Sequence, residues 1–287
     1  MDLVIMFVLA LLTVVSGSPT VTIRPEAQPN ATQQMLKKAV IFGQQQTVAV
    51  GTEAPGDVMA TGELNPSHYP AQRAAKVVQH YLNTRYGSPY RVFGLHKVHS
   101  GHAEDVAESG RKYLLKISVQ EFLRETVKNC TAEVFFPKGE KQASPEVRAS
   151  CDELLQIDSK AQDEALYQRY KMNQSLVSAE YLPDSHGNMD PDMKPFWHLG
   201  IVAASFVMLS ESNEKTLYNT AQVAQVTQLE TENDQLKFNY DILLHDMVSQ
   251  EIMHWKVLFT WSPSEGVKVL QKEQLPRCHC GRLPNKN

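Results

Sequence analysis

Tyr69-Pro70-Ala71-Gln72-Arg73-Ala74-Ala75-Lys76-Val77-Val78-Gln79-His80-Tyr81-Leu82 and, about 125 residues on, Pro195-Phe196-Trp197-His198-Leu199-Gly200-Ile201-Val202-Ala203-Ala204-Ser205-Phe206-Val207 decide the fold. Aligned on Pro70 and Pro195, the apolar positions Ala74, Val77, Val78, Tyr81 and Leu82 fall opposite Leu199, Val202, Ala203, Phe206 and Val207, giving each half one buried helical face. Apolar strand patterns follow each helix. Val92, Leu95 and Val98 stand against Thr220, Val223 and Val226; Leu115, Ile117 and Val119 stand against Phe238, Tyr240 and Ile242. Ala132, Val134 and Phe136 then stand against Val257, Phe259 and Trp261. A 3.6-residue period followed by repeated two-residue alternation predicts an α+β fold, a helix lying across an antiparallel sheet, built twice. These registers need gaps of roughly two to five residues, which loops absorb. The competing reading is chance alignment of common apolar patterns.

A chain of 287 residues with 42% hydrophobic content is long enough for two ordinary domains. Its net charge of −4 is spread without long like-charge runs, so it lacks an electrostatic footprint for nucleic acid or anionic lipid. Leu3 to Val15 is apolar apart from Thr13 and ends in Ser16-Gly17-Ser18, which reads as a secretory signal peptide cleaved after Gly17. Asp2 stands where a basic residue is usual, and an uncleaved anchor is the competing reading. Gln44-Gln45-Gln46 and scattered Pro and Gly mark the next stretch as aperiodic. The resulting partition is a signal peptide at 1–17, a mobile leader at 18–64, a first subdomain at 65–156, a connecting helix at 157–175, a second subdomain at 176–276 and a polar tail at 277–287. The mature protein is expected to be secreted and extracellular, with no membrane segment.

Glycosylation sequons begin at Asn30, Asn129 and Asn173, usable on a secretory route. Cys130 and Cys151 bracket a strand, a turn and a returning strand, and are expected to form a disulfide in an oxidising compartment; two buried thiols are the alternative. Cys278-His279-Cys280 is neither a redox motif nor half of a zinc site, and pairs between molecules or not at all. Ser159-Lys160-Ala161-Gln162 has the capping-box form and opens the connecting helix, whose Ala165, Leu166, Tyr170 and Met172 are expected to pack against the two subdomains.

Catalytic signatures are absent from the sequence: no HExxH, no GxSxG, no phosphate-binding glycine loop, no cysteine nucleophile with a recognisable neighbourhood. The spaced trio His96, His99 and His102 lies at a strand-to-loop boundary that does not hold a metal rigidly, and Glu104, Asp105 and Glu108 read as a solvated loop. The chain therefore reads as a non-enzyme with no cofactor and no metal.

Tyr69-Pro70-Ala71-Gln72-Arg73-Ala74-Ala75, Arg91-Val92-Phe93, Asn129-Cys130-Thr131-Ala132-Glu133-Val134, Tyr167-Gln168-Arg169, Leu243-Leu244-His245 and Ser249-Gln250-Glu251-Ile252 together resemble the latexin family, over about Asn65 to Pro276. The signal peptide and paired cysteines are similar to its secreted branch, which includes retinoic acid receptor responder protein and the eggshell-matrix ovocalyxin. The resemblance implies two tandem cystatin-like subdomains, each a helix on a curved antiparallel sheet, joined by a connecting helix. It also implies inhibition of zinc metallocarboxypeptidases of the A/B type rather than of cysteine proteases. Cystatins use a Q-x-V-x-G hairpin, of which Val106-Ala107-Glu108-Ser109-Gly110 keeps only the glycine, and Gln46-Thr47-Val48-Ala49-Val50 lacks it. Burying Glu108 in an apolar cleft would be costly. In the latexin family the inhibitory element is the second-repeat hairpin, here His245, Ser249, Gln250, Glu251 and Ile252, with Gln250 at its tip blocking the active-site funnel. Gln250 would offer a neutral amide to a site built for a peptide carboxylate, His245 and Glu251 would flank it, and Ser249 would shape the turn. Asp246 and His254 depart from the family's neutral residue and proline, implying an added charge at the rim and a looser hairpin. The alternative function is a non-inhibitory extracellular matrix or receptor-interaction protein on the same scaffold.

Overall fold

A computed structural model describes residues 61–139, 143–172 and 175–276. The stretch expected to be a signal peptide, the expected leader before residue 61, Asn30, Asn173, Cys278 and Cys280 lie outside the described residues. Each half is a short strand, a long helix and a four-strand meander. In the first, β1 (Gly62–Leu64) precedes α1 (Tyr69–Tyr86), followed by β2 (Phe93–Val106), β3 (Gly110–Glu121), β4 (Thr126–Pro137) and β5 (Glu146–Ser150). In the second, β6 (Ser178–Leu182) precedes a helix at Lys194–Glu211, followed by β7 (Tyr218–Glu232), β8 (Gln235–Asp246), β9 (Glu251–Ser262) and β10 (Gly266–Gln274). A four-residue helix α2 (Asp152–Leu155) and the connecting helix α3 (Lys160–Lys171) join the halves, so the second long helix is α4. Both sheets are antiparallel, ordered β1-β2-β3-β4-β5 and β10-β9-β8-β7-β6.

Both long helices carry proline in their first turn, where the missing N–H has no intrahelical partner to lose. Their apolar stripes lie on the sheets: Ala74, Val77, Val78 and Leu82 of α1 and Leu199, Val202, Ala203 and Val207 of α4 are at most 2% exposed. α1 and α4 also pack against each other. The second core is aromatic. Phe238, Tyr240, Phe259 and Trp261 are fully buried, with Tyr240 edge-on to Phe259 at 5.0 Å, a contact worth about 0.5–1.5 kcal/mol beyond area burial. The Tyr240 hydroxyl donates to the Phe196 carbonyl at 3.1 Å, joining α4 to the sheet.

The repeat is more regular than apolar matching implies. Tyr69 begins α1 and Lys194 begins α4; Gly110 and Gln235 begin β3 and β8; Thr126 and Glu251 begin β4 and β9, each pair 125 residues apart. The gapped registers read for the first two strands are therefore corrected. Leu95 corresponds to Thr220, Val98 to Val223, Ile117 to Ile242 and Val119 to Leu244. β2 and β7 carry β-bulges at matching positions, with register shifts across His96 and His99 in β2 and across Ala221 and Ala224 in β7; β7 has a further shift between Leu229 and Glu232. A bulge opposes two residues to one, so the inward positions fall three apart and the two-residue alternation is lost.

The connecting helix corrects two details. Its buried face is Asp163, Leu166, Tyr167 and Tyr170, while Ala165 is exposed and Met172 is 76% exposed. Ser159 makes no capping bond to the helix backbone; its hydroxyl donates to Asp163 Oδ2 at 2.7 Å, and Asp158 Oδ1 accepts from the Lys160 amide instead. Cys130 and Cys151 form a disulfide in the first core, both nearly fully buried.

Candidate functional site

β8 and β9 pair without a break from Leu236 opposite Trp261 to Asp246 opposite Glu251, leaving Met247 to Gln250 as the turn. Within that ladder His245 faces Ile252. The turn is organised by one side chain. Asp246, 6% exposed, accepts from the Leu217 amide (2.9 Å) and Val248 amide (3.1 Å) at Oδ1, and from the Ser249 hydroxyl (2.8 Å) and amide (3.4 Å) at Oδ2. Burial raises its pKa, but the bonds made to the charged form outweigh burial and hold the carboxyl below the usual aspartate value. The Met247 amide donates to the Leu217 carbonyl at 2.9 Å, completing a clasp onto the segment that enters β7.

Val248, Ser249 and Gln250 project into solvent, and Ile252 is 51% exposed. Gln250 holds a left-handed backbone with φ of 59°, and its Nε2 donates to the Met247 carbonyl at 2.6 Å. Among the described residues nothing donates to its side-chain oxygen, so the tip presents an amide carbonyl acceptor. Beside the hairpin lies an open depression of about 430 Å³ lined by Leu243, Ile252, Met253, His254 and Leu275.

One of the two departures from the family pattern resolves differently from expectation. Asp246 points inward and caps the turn instead of adding charge to the rim. His254 sits opposite Leu243 in continuous register, and its backbone carbonyl accepts from the Leu275 amide at 2.8 Å. Neither role shows in the apolar pattern of the chain. An Asp three residues before a Ser is a local turn signal that could have identified the first.

The corresponding hairpin of the first subdomain is built alike and used differently. Glu121, fully buried, accepts from the Leu123 (3.1 Å) and Arg124 (2.9 Å) amides, and Glu125 takes the left-handed backbone, φ 52°. Arg124 then donates to the Asp158 carbonyl at 2.6 Å and to Gln162 Oε1 at 3.3 Å, tying this turn to the connecting helix.

The cystatin-type position also finds a structural account. Gly110, at φ 150°, closes the β2–β3 turn where a Cβ would lie 2.2 Å from the Phe136 carbonyl, so the glycine is required by packing. Glu104 and Asp105 belong to β2, not to a loop: Glu104 pairs with Lys112, and Asp105 lies 3.7 Å from Arg111. The histidine trio is not brought together. His99 contacts the Ser118 hydroxyl and His102 lies 3.4 Å from Glu63. Among the described residues no group of three or more His, Cys, Asp or Glu is placed to hold a metal ion. Asn129 is exposed on β4, its Oδ1 accepting from the Ser118 hydroxyl at 3.0 Å.

Comparison with known proteins fits this architecture. The family model for latexin matches residues 64–279. Latexin of Homo sapiens is 37% identical over 216 residues, covering 75% of this chain and 97% of that protein. Ovocalyxin-32 of Gallus gallus is 30% identical over 211 residues (72% and 74%), and retinoic acid receptor responder protein 1 of Homo sapiens is 29% identical over 221 residues (74% and 72%). With two sheet-and-helix repeats in place and nearly the whole of latexin aligned to it, the chain belongs to the latexin family.

Proposed function

We propose that the protein is a secreted inhibitor of zinc metallocarboxypeptidases of the A/B type, acting through the β8–β9 hairpin with Gln250 at its tip. The observation that carries this reading is the asymmetry between the two equivalent hairpins: the first is tied to the connecting helix by Arg124, whereas the second is equally well organised and exposes Val248, Ser249 and Gln250. An inhibitory element must be both ordered before binding and accessible, since ordering at the moment of binding costs affinity. The Gln250 carbonyl oxygen offers an acceptor to a site made for a peptide substrate, and its backbone amide lies in a turn, out of register for cleavage. Val248 and Ile252 supply apolar contact at the funnel wall. His245 and Glu251 flank the tip, and Ser249 serves through its bond to Asp246.

The test is the inhibition constant of the mature protein against a purified A-type metallocarboxypeptidase, beside Gln250→Ala and Gln250→Trp. Tight inhibition weakened in both variants supports the hairpin. Absence of inhibition at micromolar concentration would sink the reading and transfer the function to extracellular matrix or receptor partners.

A further inference from the structure

We infer that Asp246 is a positioning residue for the exposed hairpin, fastening its tip to the Asn213–Leu217 segment that the first subdomain holds. As a statement about inhibition this rests on the function proposed above.

The geometry reaches in both directions from one carboxylate. Toward the tip, Oδ1 and Oδ2 take the Val248 and Ser249 amides and the Ser249 hydroxyl, fixing three donors of a turn that otherwise faces water. Toward the body, Oδ1 takes the Leu217 amide, and the Leu217 carbonyl takes the Met247 amide in return. Leu217 is 4% exposed and follows a turn closed by the Thr216 amide donating to the Asn213 carbonyl at 3.2 Å. That turn carries Glu214, which the first subdomain grips from two elements. Arg73 of α1 donates to the Glu214 carbonyl at 2.8 Å, and Tyr113 of β3 donates to Glu214 Oε1 at 2.7 Å. Arg111 of β3 adds its charge 3.8 Å from the same oxygen. The hairpin of one subdomain is thus connected to the other by hydrogen bonds at Glu214 and at Leu217 and by the short turn of backbone between them, and Asp246 is the last link.

Glu121 provides the control, because it is the same device 125 residues earlier in a hairpin that Arg124 ties to Asp158 and Gln162. A purely structural role for Asp246 predicts that the two carboxylates are interchangeable in their effects. The positioning role predicts that they are not.

The experiment compares full-length mature protein with Asp246→Ala, Asp246→Asn and Glu121→Gln, reading amide hydrogen exchange at residues 247–250 and inhibition of the A-type carboxypeptidase. Loss of charge-assisted bonds at the tip is expected to speed exchange of the Val248 and Ser249 amides in Asp246→Ala on the order of ten- to a hundredfold, with inhibition weakened to match. Asp246→Asn, which keeps one acceptor oxygen, should fall between. Glu121→Gln should leave tip exchange and inhibition at the wild-type level while lowering stability. Wild-type exchange at Val248 and Ser249 in Asp246→Ala overturns the inference, as does equal loosening by Glu121→Gln. If the wild type does not inhibit, the exchange data still decide the positioning role, and only the proposed function fails.

Discussion

Glu121 and Asp246 are 125 residues apart, and each is a buried carboxylate at the end of a strand that accepts the backbone amides of the turn following it. The Phe122 amide donates to the Val92 carbonyl just as the Met247 amide donates to that of Leu217, again 125 residues on. Duplication kept the turn chemistry while the tips diverged from Phe122-Leu123-Arg124-Glu125 to Met247-Val248-Ser249-Gln250.

The joint between subdomains is polar at its Glu214 end. Tyr113→Phe removes the hydroxyl that donates to Glu214 Oε1, leaving an acceptor beside Arg111. The expected cost is about 1–2 kcal/mol in urea unfolding. Amide exchange of residues 213–217 should quicken in the same variant. Unchanged exchange there would show that Tyr113 does not hold the segment.

Cys130 and Cys151 close a loop across a sequence separation of 21 residues. In the chain-entropy account a loop of this size contributes roughly 3 kcal/mol. Cys130→Ser should therefore lower the melting temperature by several degrees, and reductant should do the same to the wild type but not to the variant. Thermal unfolding with and without reductant decides it.

Gly200 lets α4 approach its sheet closely. A Cβ there would lie 2.5 Å from Val223 Cγ2 and 3.2 Å from Tyr240 Cε2. Gly200→Ala gains helix propensity but overpacks a fully buried site, and the clash should win by about 1–3 kcal/mol. A Gly200→Ala protein as stable as wild type in denaturant would show that the helix can shift without penalty.

Acid should weaken the fold through His80, 1% exposed on α1. Burial, aided by the Lys76 charge, pushes its pKa down to about 3. The unfolded chain binds this proton near pH 6.5 while the folded chain refuses it, so the contribution is fully present above about 6.5 and is lost as pH falls toward the folded value. Urea midpoints at pH 7 and 4.5 should differ less in His80→Gln than in wild type. Equal differences would assign the acid limb to other groups.

Much of the architecture was legible because periodicity reports burial. The helical stripes of α1 and α4, and the inward positions Ala132, Val134 and Phe136 with Val257, Phe259 and Trp261, sit where alternation puts them. β2 and β3 align by apolar pattern three and two residues away from their true counterparts in β7 and β8. Inward positions recur every three residues across the bulges at His96, His99, Ala221 and Ala224 and every two residues in β3 and β8, so a slip by one period matches equally well. The capping box at Ser159 does not form: its hydroxyl donates to the buried Asp163, and the Asp158 carboxylate takes the Lys160 amide. Gln250 and Ser249 were picked out by family resemblance, whereas Asp246 was misassigned to the rim because its inward direction depends on Leu217, 29 residues away in sequence.

The sequence by itself determined two amphipathic helices, each followed by antiparallel strands, and membership of one family, since apolar spacing and residue identity are local properties. Only the tertiary structure decided the constant 125-residue correspondence, the inward turn of Asp246 and which of two equivalent hairpins stands free. Those outcomes depend on which groups meet across the fold, where a buried carboxylate must find donors and an arginine can reach a neighbouring helix.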